Sequence, residues 1–473
     1  MKRFKPIDNS QSFFLSVTSE CVHTNYPMIE VMEQYFDQYF DSNMFTNVLS
    51  NDSTGAPAFH PSVILKVIFY AYSKGIYSSR DIERLSRTDY AAMYLTSNSV
   101  IDHSTICRFI NNHKDAMVSF FTKMVYVLRH INLIDYNILA IDGTKIKANA
   151  SKEFSGNVRD FKDKKTRIEK KLKAAMEDTE RSTPRIQKKI DQFTKSIRKI
   201  DTFLKQADER SPEKINLTDR DARLVKDGGS VVTGYNCQNA VDSKHHFIVG
   251  NTVVNNACDR NELVPMIDIV EDHLHDDSKI VADAGYFSSD NIVYADKHGI
   301  DLYLPEGKNM DGSQKKRNAQ KINSKDCDID HNGDSKFLTC PGGYRSTTQE
   351  CFNDRGDFNY RFYIPASRCA ACMHHDICNP NYHKNRSKRF NVKREYFDSA
   401  PLRKKMNEKL YSKEGRLIYN QRACIVEHIF GEIKVQKRFT RFYHRGLDKV
   451  NTVWNIVCIS HNFRKLATLG ISL

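Results

Sequence analysis

The chain has 473 residues, 40% of them hydrophobic, with 12 prolines and 20 glycines, which excludes a mostly structureless tail or a fibrous repeat and predicts two to four globular units. Lys and Arg outnumber Asp and Glu by 72 to 58, a formal net charge of +14 that points to a polyanion as the large partner, nucleic acid first. The longest apolar stretch, Val63 to Tyr72, is too short for a membrane span and carries Lys66, and Met1-Lys2-Arg3-Phe4-Lys5-Pro6 lacks the apolar run of a secretory signal, so the expectation is a cytoplasmic protein with no membrane partner.

Residues 1 to about 130 read as helical, a candidate amino-terminal DNA-binding domain. Phe59-His60-Pro61-Ser62 opens an apolar helix pattern at Val63, Val67, Tyr70 and Ala71, with Pro61 in the first turn. Ser78 precedes Asp81 at capping-box spacing, and Asp102 or Ser104 can cap a helix over Thr105 to Ile110. With Ser104, Thr105, Arg108 and Asn112 on that last helix, the set reads either as a helix-turn-helix DNA reader or as an ordinary helical bundle.

At 131–157 the pattern changes: Ile138-Leu139-Ala140-Ile141 predicts a short buried strand that stops at a turn, Asp142-Gly143. From 158 to 210 a charge-rich helical hairpin is expected. Phe161, Ile168, Leu172 and Met176 mark its first arm, Ser182-Thr183-Pro184 the break, and Ile186, Ile190, Phe193, Ile197, Ile200 and Leu204 a heptad seam. Its basic residues read as a solvated face, with DNA contact as the alternative.

Strands resume within 211–305, at Val231 to Asn236, Phe247 to Gly250 and Thr252 to Val254, followed by a helix through Leu263, Met266, Ile267 and Val270. The run Lys279-Ile280-Val281-Ala282 ends at Asp283, Ser288 or Ser289 can cap the next helix, and Asp301 to Leu304 reads as another strand. Residues 306–400 form a polar, cysteine-rich insertion, and 401–473 return to helix from about Lys413 to Arg438 and Val450 to Leu466.

Two aspartates ending separate apolar strands, Asp142 and Asp283, together with Glu427 on a late helix, are the ingredients of a site for two Mg²⁺ ions: hard cations take oxygen ligands, and an ion pair can activate a nucleophile while stabilising the leaving oxygen of a phosphoryl transfer. Each acid alone reads as a turn residue. Glu427, Gly431 and Lys434 fall at i, i+4 and i+7, so that the acid can face metals while the lysine faces DNA phosphate, or they are incidental charges on an amphipathic helix.

Tyr419-x2-Arg422-x4-Glu427-x6-Lys434 resembles the glutamate-helix signature of DDE transposases from bacterial insertion sequences, most similarly the group numbered eleven-eighty-two. The resemblance extends to Phe59-His60-Pro61, Ala140 to Lys145, Gly234 to Asp242, Ala282 to Tyr286, Val426 to Gly431 and Arg441 to Gly446. It implies an α/β fold with an RNase H-like mixed-sheet catalytic core, Asp142, Asp283 and Glu427 as Mg²⁺-binding acids, and cleavage of element ends with joining to target DNA. It also implies that Tyr419, Arg422 and Lys434 contact DNA, that the protein oligomerises on DNA, and that it works at the bacterial nucleoid. The broader signature often has three residues between arginine and glutamate; here there are four. The alternatives are a non-catalytic DNA-binding protein derived from a transposase, and a metal-dependent nuclease.

Half of the 12 cysteines, Cys327, Cys340, Cys351, Cys369, Cys372 and Cys378, crowd into one region. Cys340, Cys369, Cys372 and Cys378 can supply four thiolates to a structural Zn²⁺, with His374 and His375 as rival ligands and plain structural cysteines as the alternative. Trp454 and Phe463 read as core and His245-His246 as a turn, whereas Arg438, Arg441 and Arg445, interleaved with Phe439, Phe442 and Tyr443, read as a DNA grip with stacking aromatics.

Overall fold

The computed structural model describes residues 19–46, 58–177, 184–207, 214–306, 322–332, 335–348, 351–354, 357–379 and 386–473. The expected start at Met1 to Pro6 and the break at Ser182-Thr183 lie outside these residues. The amino-terminal part is helical: α1 (Ser19–Asn25), α2 (Pro27–Tyr39), α3 (Asn43–Thr46), α4 (Pro61–Ser73), α5 (Ser79–Thr88), α6 (Tyr90–Leu95), α7 (His103–Asn112) and α8 (Lys114–His130). Helix α4 begins at Pro61, whose missing N–H costs nothing in a first turn, and the His60 ring accepts the Ser62 N–H at 3.3 Å. Asp102 caps α7, accepting the Ser104 N–H at 2.8 Å, whereas Ser78 stands at the N-cap of α5 without a side-chain bond, so the capping box expected there does not form.

The central sheet is built from β1 (Ile138–Lys147), β4 (Arg223–Asp227), β5 (Ser230–Asp242), β6 (Ile248–Val254), β7 (Lys279–Ala282) and β8 (Asp301–Tyr303), with a two-stranded tie, β2 (Ser155–Gly156) and β3 (Ile215–Asn216), beside it. Its order is β4-β5-β1-β7-β8, and β6 also pairs with β5. The pairs of β5 with β4, β1 and β6 are antiparallel; β7 is parallel to both β1 and β8. Strand β1 does not stop at Asp142-Gly143: it continues to Lys147 because residues 143–147 keep pairing with β5, from Gly143 opposite Gln238 to Lys147 opposite Gly234. A long cross-strand partner overrides the local turn preference of Asp-Gly.

Between β2 and β3 rises the expected hairpin, α9 (Val158–Glu177) and α10 (Pro184–Leu204). Its seam is only partly shielded: of the six positions from Ile186 to Leu204 only Ile200 is fully buried, and the hairpin is anchored at its base, where Phe161 meets Phe203 edge-on at 5.2 Å. Helices α11 (Leu263–Val270) and α12 (Ser289–Lys297, capped by Ser288) connect the later strands.

The cysteine-rich segment has a small core, which its polar composition did not suggest. β9 (Asp328–Asn332), β10 (Ser335–Thr339) and β11 (Arg345–Thr348) form one sheet; β12 (Cys351–Asp354), β13 (Asp357–Ile364) and β14 (Lys388–Lys393) form another. Single turns α13 (Ala366–Ala370) and α14 (His375–Cys378) lie between β13 and β14, and α15 (Arg394–Asp398) follows. Leu338, Phe362, Phe390, Val392 and Phe397 pack together there, apart from the main core.

Helices α16 (Ala400–Tyr411), α17 (Lys413–Arg422) and α18 (His428–Gly431) lead to α19 (Leu447–Thr468). Trp454 and Phe463 of α19 are fully buried, and Phe463 stands 5.3 Å from Tyr35 of α2 and 5.7 Å from Phe69 of α4. Asn462 accepts the Ile248 N–H at 3.0 Å and donates to its carbonyl at 2.9 Å, while Asn451 accepts the Val253 N–H at 3.0 Å, so α19 satisfies the free edge of β6. One apolar core therefore runs through the amino-terminal helices, the sheet and α19. No helix among the described residues is long and apolar enough to cross a membrane.

Candidate active site

Ile141 opposite Ala282 is the last ladder pair of the parallel strands β1 and β7, so the next residue of each, Asp142 and Asp283, departs from neighbouring positions. Asp142 accepts the Gly143 N–H at 2.7 Å. Burial pushes its carboxyl up to about 7; Arg422 opposes that rise and Asp283 adds to it. Asp283 accepts the Gly285 N–H at 2.7 Å and caps a 3₁₀ turn, Ala284–Tyr286.

The third acid arrives on the late helix. Arg422 donates from Nη1 to Asp142 Oδ2 at 3.1 Å and from Nη2 to Glu427 Oε1 at 2.6 Å, so one guanidinium spans two of the three carboxylates. In a regular α-helix, residues five apart diverge by about 140° around the axis. Residues Ala423–Glu427 instead form a π turn, and a wider turn brings a residue five positions on back to the same face. This turn absorbs the extra residue between Arg422 and Glu427. The Tyr419 hydroxyl, raised by burial, bonds the same guanidinium and feels Asp283 and Asp142.

Lys434 lies in a second π turn, Glu432–Gln436, and its Nζ donates to the Lys145 carbonyl at 3.1 Å and to Asp227 Oδ1 at 3.0 Å. It is thus turned toward β1 and the β4–β5 hairpin, away from Glu427. Arg438, Arg441 and Arg445 are exposed as expected, and Arg441 and Arg445 brace Asn149 at 3.0 and 2.9 Å. The interleaved aromatics divide: Phe439 and Phe442 are buried in the core and cannot stack on bases, while Tyr443 is 49% exposed. Beside Arg441, an open cleft of about 450 Å³ is lined by Lys147, Lys152, Thr233 and Thr440 among others.

A polar cluster adjoining Asp142 was not legible as a site. Asp259 Oδ1 accepts from Lys145 Nζ at 2.7 Å, Asn236 Nδ2 at 2.7 Å and Gln238 Nε2 at 2.8 Å, and the Tyr286 hydroxyl donates to Gln238 Oε1. A Cβ on Gly143 would come within 2.3 Å of Gln238 Nε2 and 2.9 Å of Asp259 Oδ1, which is why glycine follows Asp142. The available signal was Asn236, Gln238 and Asn239, three amides within four residues of a strand that is buried on both faces.

The four cysteines Cys340, Cys369, Cys372 and Cys378 line one cavity of about 30 Å³ with His374 and His375. Burial raises the Cys378 thiol, and the neighbouring thiols of Cys369, Cys340 and Cys372 add to the rise. Cys327, not assigned from sequence, faces Cys340 and Cys378, and its thiol is pushed up to about 12, mainly by burial.

Both donor sets suit a cation chemically: hard carboxylate oxygens, one on a buried group that a positive charge would keep ionised, fit Mg²⁺, and a thiol cluster around an ion-sized cavity fits Zn²⁺. Neither is drawn tight. Among the described residues the only group of three or more ligand atoms all within 4.8 Å of one another is Glu83, Asp102 and His103. That trio already has partners: Glu83 accepts from the His103 N–H, the His103 ring and Arg87, and Asp102 caps α7.

Residues 339–467 match the family model described as Transposase DDE domain, and residues 20–112 match the one described as Transposase domain (DUF772). No curated protein and no solved structure matches.

Proposed function

Starting from a chain that is a DDE-type transposase of an insertion sequence, we propose that Asp142, Asp283 and Glu427 form its catalytic site, cutting DNA at the element ends and joining them to target DNA. The observation that carries this reading is the adjacency of Asp142 and Asp283 on parallel strands, with Glu427 tied to Asp142 through Arg422. A sheet with one antiparallel flank and one parallel flank supports an RNase H-like core, and the sequence resemblance alone points to the eleven-eighty-two-like group.

Two Mg²⁺ ions held by these acids would activate water and then a DNA 3′-hydroxyl and stabilise the leaving oxygen. The chain's own groups prepare that site. The ladder sets Asp142 beside Asp283, the π turn delivers Glu427, and Arg422 with Tyr419 would grip a phosphate of the bound strand. Arg438, Arg441 and Arg445 extend the basic surface, and Lys434 would reach phosphate only by releasing Asp227. No side chain is required as a covalent nucleophile. Ser104, Arg108 and Asn112 form an exposed face of α7, which supports the helix-turn-helix reading of the amino-terminal part. Two element ends in one reaction favour an oligomer on DNA.

The test is incubation with labelled element ends and Mg²⁺: cleavage and strand transfer are expected, and both vanish in Asp142→Ala while end binding persists. Binding without either reaction would indicate a regulator; cutting without joining, a nuclease. A structural Zn²⁺ at Cys340, Cys369, Cys372 and Cys378 is a second proposal, favoured by their shared cavity. Elemental analysis of the purified protein tests it.

A further inference from the structure

The β1–β7 ladder ends before the two aspartates, and the chain after Ala282 leaves the sheet in the turn Ala284–Tyr286. Backbone pairing therefore brings the two aspartates to neighbouring strand ends but does not itself bond Asp283; side chains tie down the turn that follows it. Tyr286, closing that turn, is fully buried and donates its hydroxyl to Gln238 Oε1. Gln238 lies on β5 directly opposite Gly143, the neighbour of Asp142. One amide thus touches the turn that carries Asp283 and is registered against the strand that carries Asp142.

The orientation of that amide is fixed. Its Nε2 donates to Asp259 Oδ1 at 2.8 Å and to Asn236 Oδ1 at 2.9 Å. An ionised carboxylate only accepts, so a flipped amide would set oxygen against oxygen at Asp259 and leave Oε1 unable to receive the Tyr286 proton. Lys145 and Asn236 donate to the same Asp259 oxygen. Asn291 secures the same turn, donating to the Tyr286 carbonyl at 2.6 Å and to the carbonyl of Arg260, next to Asp259, at 2.7 Å. The absence of a Cβ at Gly143 leaves the space through which Gln238 reaches Asp259.

We propose that Gln238 and Tyr286, oriented by Asp259, are positioning residues that fix Asp283 relative to Asp142 and so set the geometry in which the two carboxylates bind divalent cations. This rests on the reading of those aspartates as the metal-binding pair. None of the three need touch DNA or metal; they act through the placement of two other side chains.

The test uses full-length protein with Mn²⁺ as the probe: Mn²⁺ affinity by calorimetry, kcat and KM for cleavage of a labelled end, end affinity, and thermal melting. Tyr286→Phe removes one oxygen and keeps the ring. It is expected to weaken Mn²⁺ binding and lower kcat by about tenfold or more, with KM and end affinity within about twofold. Gln238→Glu sets a carboxylate against Asp259 and is expected to lose at least as much. A Tyr286→Phe protein that melts earlier yet binds Mn²⁺ and turns over as the native protein does would overturn the proposal, leaving the hydroxyl a purely structural group. Asp142→Asn separates the levels: if it binds Mn²⁺ normally, the metal-site reading fails; if it abolishes binding while Tyr286→Phe is silent, only the positioning role fails.

Discussion

The carboxylate site on the central sheet and the thiol site of the cysteine-rich segment gather their side chains by opposite means. Asp142, Asp283 and Glu427 are scattered over the chain; strand pairing brings Asp142 and Asp283 to neighbouring strand ends and a π turn carries Glu427 to the guanidinium that also holds Asp142, over a core shared with the amino-terminal helices and α19. Cys369, Cys372 and Cys378 are close in sequence, on two single turns and the link between them over a core of a few side chains, with Cys340 contributed from the end of β10. The elements that carry the first set pack on the main apolar core. The second has little else to hold its turns, so an ion there would contribute to folding itself.

That contrast breaks most directly at Cys372→Ser. If zinc holds the thiol site, the variant should lose the metal and its amides in β12–β14 should exchange about a hundredfold faster, while β1 and β5 keep their protection; unchanged exchange would make the two sites alike in needing no ion. An effect of opposite sign is expected at Asp142→Asn. The native carboxyl titrates at about 7 when folded against 3.8 ordinarily, so ionising it costs stability, a cost absent below the ordinary value, growing from about pH 4 to 7 and constant above. The variant should therefore match the native protein near pH 4 and exceed it at pH 8, in chelator, by at most about 4 kcal/mol in denaturant unfolding.

Arg422→Gln sharpens the comparison further. Releasing the Asp142 and Glu427 oxygens should tighten Mn²⁺ binding by about tenfold in calorimetry without DNA, although cleavage falls. Unchanged affinity would show that the guanidinium does not compete with a cation. The smallest change is expected at Arg441→Ala: end affinity should fall severalfold, and the slope of log affinity against log salt should lessen by about 1.

Much of this was legible in the sequence. The apolar runs ending at Asp142 and Asp283, the hairpin from 158, and Trp454 and Phe463 as core follow from periodicity and burial alone. The misreadings share a cause: each depended on a partner distant in sequence. Asp142-Gly143 reads as a turn until β5 is laid beside it. Phe439 and Phe442 read as stacking groups until the core closes over them, Phe442 meeting Tyr235 edge-on at 5.9 Å. Lys434 reads as free until Asp227 approaches from the β4–β5 hairpin. Asp259 carries no local signal at all, because its neighbours are ordinary loop residues and its importance lies in what converges on it.

The two π turns, Ala423–Glu427 and Glu432–Gln436, flank a single α-helical stretch, His428–Gly431. Each wide turn lets a helix carry one more residue without rotating what lies beyond it. The late helix can thus be lengthened in its numbering while its working face stays aligned. Rigid spacing patterns will therefore pass over kindred proteins whose glutamate has moved by one position, and removing a single residue from 423–426 should let the wide turn close into ordinary α-helix with the glutamate, now four positions on, still in line with Arg422.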